Sequence, residues 1–149
     1  MKRILISGFS VILAAVAVYS LYLQFLIGVA PQTQAFYGSL KKELESRGFQ
    51  SNYVVLSTVR PPWFNSILVY LSGAAPRSQH IEGTAIDILV LDVNGDSRCD
   101  AADVRIVYSI LDTRIVGNGG GLGTYLNEKN FFSRQMVHFD SRGYRARWR

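Results

Sequence analysis

The segment TAIDILVLDV, residues 84–93, leaves this chain less freedom than any other. Its aliphatic and β-branched run reads as a strand seated in a core. Asp87 nevertheless stands in the middle of it. A carboxylate buried without a partner costs several kcal/mol or is forced to take up a proton, so Asp87 calls for a positive partner, either an arginine or a metal ion. His80 lies upstream across a glycine turn at Gly83, close enough to fold back beside Asp87. His138, the only other histidine, sits in the strand-like piece QMVHFD. Two imidazoles and one carboxylate make a three-ligand zinc site with the fourth position open to water, which is the catalytic arrangement and not the structural one.

A second constraint lies at the start of the chain. Lys2 and Arg3 precede a run from Ile4 to Ala30 without a charge, roughly 27 residues against the ~20 that cross a bilayer as helix. The apolar run continues past Ala15 and Ala17, so it reads as an uncleaved anchor over 1–30, the alternative being secretion after signal cleavage. Lys2 and Arg3 would stay on the cytoplasmic side. The expectation is therefore a single-pass protein of the inner membrane with residues 31–149 on its outer side. Those remaining residues, about 119, suffice for one compact core. Cys99 is the single cysteine, which excludes an internal disulfide.

Along residues 31–149 the signals alternate between helix and strand. PQTQ reads as a short polar connection, and AFYGSLKKELESRGF as a helix with Phe36, Leu40 and Leu44 on one face and Gly48 as its stop. SNYVVLSTV is a strand ended by the two prolines of RPPWFN. Periodicity does not decide between helix and strand for SILVYLSG. DAADVRIVYSILDTR reads as a helix capped by Asp100, GNGGGLG as a loop, and QMVHFD and YRARW as closing strands. The fold class is α+β, a small and mainly antiparallel sheet with flanking helices.

SQHIEGTAIDI resembles the S-x-H-x-x-G-x-A-x-D signature of the zinc D-alanyl-D-alanine carboxypeptidases and related peptidoglycan endopeptidases, the VanY-like group that shares the Hedgehog-type fold. LSTVRPPWFN is similar to that family's upstream S-x-x-R segment, GGGLGTY to its glycine-rich approach and MVHFDSRGYRARW to its closing H-x-D-x-R-G segment. The resemblance spans about residues 50 to 148 in the family's order. It implies His80, Asp87 and His138 as zinc ligands, Arg60 as the holder of a substrate carboxylate or oxyanion, and Ser78 as a substrate-side residue orienting the His80 loop. It implies a hydrolase acting on cell-wall peptides that contain D-amino acids, as a carboxypeptidase or an endopeptidase. The sequence departs from the pattern at Gln135, where many relatives carry the acid that serves as general base. Asp140, two residues after His138 and on the same face of a strand, is the substitute, with pairing to Arg142 or bonding to a ligand histidine as its other roles. Glu82 is a further carboxylate beside His80. A membrane-tethered module that keeps the zinc cage and grips peptidoglycan without cutting it is the alternative that Gln135 leaves open.

Other motifs have two readings each. DVNGDSRCDAAD places Asp92, Asn94, Asp96, Asp100 and Asp103 as in an EF-hand or dockerin-type calcium loop, with Ser97 where glycine is usual and Asp103 in place of glutamate. It reads equally as an Asn-Gly turn leading into a helix cap. GNGGGLG lacks the lysine and hydroxyl ending of a P-loop and is expected to be a flexible rim of the cleft. The net charge of +5 and pI near 9.6 suit an anionic setting such as a cell wall or headgroups. Nucleic acid is not expected as a partner, since basic residues are scattered except in SRGYRARWR.

Overall fold

The computed structural model describes residues 10–19, 22, 26–72 and 74–149. Helix α1 (Pro31–Ser46) leads into strand β1 (Tyr53–Ser57), helix α2 (Pro62–Ser72), strand β2 (Ala85–Val90) and helix α3 (Ala101–Ile110). A π-helical turn, Leu111–Val116, extends α3. Strand β3 (Gly121–Thr124), the short helix α4 (Phe131–Arg134), strand β4 (Met136–Asp140) and strand β5 (Ala146–Trp148) complete the chain. The strands form one sheet in the order β1-β2-β4-β3-β5. Three pairings are antiparallel, and β5 joins β3 in parallel, so the sheet is mixed.

Alternation along the central strands sorts their side chains between two faces. Ile86, Ile88 and Val90 of β2, with Val137 and Phe139 of β4 and Leu122 of β3, enter the core. They meet Leu40 and Leu44 of α1 and Val104 and Val107 of α3, all fully buried. Asp87 and His138 lie between these positions and therefore face the other side. One side of the sheet is a packed core and the other is a site.

Helix α1 begins at Pro31 and not after PQTQ, because proline fits a first turn whose N–H groups lack partners in any case. Thr33 in that turn is fully buried, and its hydroxyl donates to the Thr84 carbonyl at 2.9 Å. SILVYLS, residues 66–72, is helical as the body of α2. Both of its faces are apolar, which is why periodicity alone leaves it open: Phe64 and Leu68 line a cleft, while Trp63, Tyr70 and Leu71 are exposed.

Helix α3 starts at a capping box in which the Asp100 carboxylate accepts from Ala102 N at 2.7 Å and Asp103 accepts from Asp100 N at 3.0 Å. The fully buried Asp103 also accepts from Val93 N and Asn94 N, and Asp92 from Gly95 N, Asp96 N and Ser97 N. These carboxylates serve the loop's own amides, as the turn-and-cap reading requires. Asp103→Ala strands three amides and is expected to lower stability by about 2–4 kcal/mol, read as a fall in the urea midpoint at unchanged slope.

The expected membrane anchor requires correction. Among the described residues no helix is long and apolar enough to cross a membrane. Residues 10–19 are helical. Residues 1–9, 20, 21 and 23–25 of the expected span lie outside the described residues. Its last part belongs to the domain: Leu26 and Val29 join the core, and Ala30 N donates to Gly83 O at 2.8 Å. The single-pass topology falls with the anchor.

The glycine-rich segment also differs from expectation. Residues 121–124 are a fully buried strand between β4 and β5. Glycine stands there because neighbouring groups fill the space a Cβ would need. At Gly121 a Cβ would strike the Asp140 carboxylate and the Arg142 guanidinium, and at Gly123 the Trp148 indole.

Candidate metal centre and cleft

Register brings the site together. Ser57 pairs with Asp87, Asp87 with His138, His138 with Gly123 and Gly123 with Trp148, so all five strands contribute one residue to a single row. Side chains in one row share a face. The row reads serine, aspartate, histidine, glycine, tryptophan from β1 to β5.

His80 reaches this row from a loop. Its backbone carbonyl accepts from Arg60 N at 2.9 Å, and its ring Nδ1 lies 2.6 Å from Thr58 O. A carbonyl only accepts, so Nδ1 carries the proton and Nε2 presents a lone pair. Gly83 turns the loop at φ +70°, and a Cβ there would collide with Gly28 O. Ser78 supports the same loop through its carbonyl, which accepts from Ile81 N at 3.0 Å.

Both imidazoles aim at one carboxylate. His80 Nε2 lies 3.0 Å from Asp87 Oδ2, and His138 Nδ1 lies 2.7 Å from Asp87 Oδ1. His80 Nε2 is close to that oxygen without the alignment of a hydrogen bond, which leaves it a buried nitrogen with no bonding partner. His138 Nε2 is taken by Asp140 Oδ2 at 3.0 Å, which in the neutral tautomer leaves its Nδ1 lone pair facing Asp87 as well. Three electron-pair donors thus converge within 4.8 Å in a buried group. Once the proton between His138 and Asp87 is displaced, this donor set suits a zinc ion.

The protonation states follow from the geometry. Burial pushes the Asp87 carboxyl up, but the neighbouring His80 and His138 overcome it and hold Asp87 well below the usual carboxylate range. Burial likewise opposes protonation of His138, and the hydrogen bonds to Asp140 and Asp87 outweigh it, lifting His138 to about 9. A histidine raised from 6.5 stabilises the metal-free fold fully below 6.5, and that stability fades as pH rises through about 9. The loss amounts to roughly 3 kcal/mol at 1.36 kcal/mol per unit. Since a cation must displace this proton, apparent zinc affinity is expected to rise about tenfold per pH unit until about pH 9 and then level off. Competition with a fluorescent chelator across that range checks the slope.

Arg60 donates to Asp87 Oδ2 at 2.9 Å and to Ser57 Oγ at 3.0 Å, at the edge of the same row. Asp140 is fully enclosed, which strand parity alone could not reveal. Besides His138, its oxygens accept from Gly121 N, Arg142 N and the Arg142 guanidinium. Gln135 is fully buried and is absent from the lining of the cleft, because it precedes β4 on the parity of Val137 and Phe139.

The cleft above the row has a volume of about 1130 Å³. Its floor holds His80, Asp87 and His138, and Arg60 and Ser78 border it, with Glu82 and Glu128 as the carboxylates at its rim. Two lining residues, Tyr125 and Trp148, carry no individual chemical signal in the sequence. What marks Trp148 is Gly123, whose missing side chain leaves space for the indole.

No protein-family model matches the chain, and no curated protein matches it. Among solved structures it is similar to the Serratia marcescens L-Ala D-Glu endopeptidase ChiX, with 18% identity and a TM-score of 0.42 over 78% of this chain and 82% of that one.

Proposed function

We propose that the protein is a zinc-dependent peptidase that hydrolyses peptidoglycan peptides containing D-amino acids. The observation that carries this reading is the convergence of the His80, Asp87 and His138 donor atoms on one point at the floor of a large cleft. The motif resemblance of SQHIEGTAIDI and MVHFDSRGYRARW supports it and supplies the substrate class.

His80, Asp87 and His138 would hold the ion. When bound, zinc acidifies water to a pKa of about 7 and polarises the scissile carbonyl. The chain's own groups do the rest. Thr58 O and Asp140 fix the two imidazoles in the ligating tautomers. Asp140 therefore acts as a positioning group, while Glu82 and Glu128 are the carboxylates that face the cleft and can carry the proton from water to the leaving amine. Arg60 donates to Asp87, and with an ion held there its fork would be available to a substrate carboxylate or oxyanion.

The full chain incubated with purified muropeptides, with and without a chelator, tests the proposal by mass spectrometry of the products. Cleavage that vanishes with chelator and returns with zinc is expected. Intact muropeptides that still bind the protein would replace the enzyme with a peptidoglycan-binding module.

A further inference from the structure

Trp148 closes the row on β5 and is held from three directions. Its ring centroid lies 5.2 Å from that of His138, the Arg142 guanidinium carbon sits 5.4 Å above it, and the bare backbone of Gly123 makes room beneath it. The indole is thus locked beside a candidate metal ligand. Its Nε1–H donates to the Tyr125 hydroxyl at 3.2 Å.

That bond settles what the phenol has left to offer. A tyrosine hydroxyl is one donor and an acceptor, and an indole nitrogen only donates. With its acceptor side occupied by Trp148, Tyr125 keeps its proton for another partner, and among the described residues no hydrogen bond to an acceptor uses it. Tyr125 is half-buried, follows β3 directly, and lines the same cleft as Asp87, His138 and Arg60. Burial raises its pKa above 10.0, which keeps the O–H intact at neutral pH.

We infer that Tyr125 donates a hydrogen bond to the substrate carbonyl under attack, and holds that bond more tightly as the oxygen gains charge. Trp148 is the positioning residue that aims it. No proton changes hands, since the phenol stays protonated while the carbonyl carbon becomes tetrahedral. A donor preorganised on developing charge acts mainly in the transition state, and removing one commonly costs about 10²–10³ in rate. Arg60 and Tyr125 then approach the reacting group from opposite ends of the row, β1 and the β3–β5 side.

This inference rests on the peptidase reading, and its test separates the two. In Tyr125→Phe, kcat on muropeptides is expected to fall about 10²-fold, with KM within about twofold and zinc content and thermal unfolding unchanged. Affinity for a phosphinate dipeptide, which mimics the tetrahedral carbon, is expected to fall by a similar factor. Trp148→Phe keeps a ring beside Gly123 but loses the aiming bond; it should lower kcat about tenfold in the parent and have almost no effect on kcat when Tyr125 is already Phe. Chelator-sensitive cleavage with Tyr125→Phe at parental kcat would overturn this role alone. A rise in KM without a fall in kcat, or additive losses in the double variant, would overturn it too. No cleavage by the parent chain would sink the peptidase reading first.

Discussion

Asp87→Asn will leave the protein folded enough to purify and almost unable to hold zinc. The substitution keeps shape and removes the single negative charge on which both imidazoles and Arg60 converge. An amide offers one acceptor oxygen where the carboxylate offered two, and its NH2 group donates, so one of the two histidine contacts becomes a donor-to-lone-pair bond that competes with the metal. Metal content is expected to drop from about one equivalent to under a tenth at micromolar zinc, and peptidase activity by at least ~10³-fold. His138 loses one of the two anions that raise its pKa, so its titration should move down from about 9. Zinc analysis and the His138 proton resonances followed through pH test both parts. Full zinc occupancy in this variant would show that the three side chains do not act as a ligand set.

Gly123→Ala is expected to destabilise the fold strongly. The added Cβ would fall inside the Trp148 indole, and the ring is confined by His138 and Arg142, so it cannot swing aside without dismantling the wall of the cleft. Overpacking of this kind costs about 1–3 kcal/mol where neighbours yield and more where they do not. A drop of up to about 10 °C in melting temperature follows for a domain of this size. Gly123→Ala combined with Trp148→Ala should recover much of that loss, because the ring is the obstacle. A double variant as unstable as the single one would place the obstacle in the backbone instead.

How far the residues announce this arrangement depends on where their partners lie. Strand β2 and helices α1 and α3 follow from local period and capping, since Leu40, Leu44, Val104 and Val107 meet the core at helical spacing. The gathering of His80, Asp87 and His138 follows from one principle, that an acid in an apolar strand must find a positive partner. The glycine strand β3 hides because its justification is carried by Trp148, Asp140 and Arg142, all far along the chain. Asp140 shows its face by parity, yet its enclosure depends on Arg142 and Gly121 together. In the apolar run before Pro31 the turn at residues 26–28 brings Leu26 and Val29 into the core, while Val11, Ile12, Leu13, Val16 and Val18 are exposed, a division that hydropathy alone does not reveal.

That last feature decides where the molecule can be cut. A shortened version beginning at Pro31 would discard two core plugs and the amide of Ala30 that secures Gly83, three residues from His80. The hinge of the ligand loop would then lose its tether, and a trimmed protein that bound zinc poorly would report on the scissors and not on the chemistry.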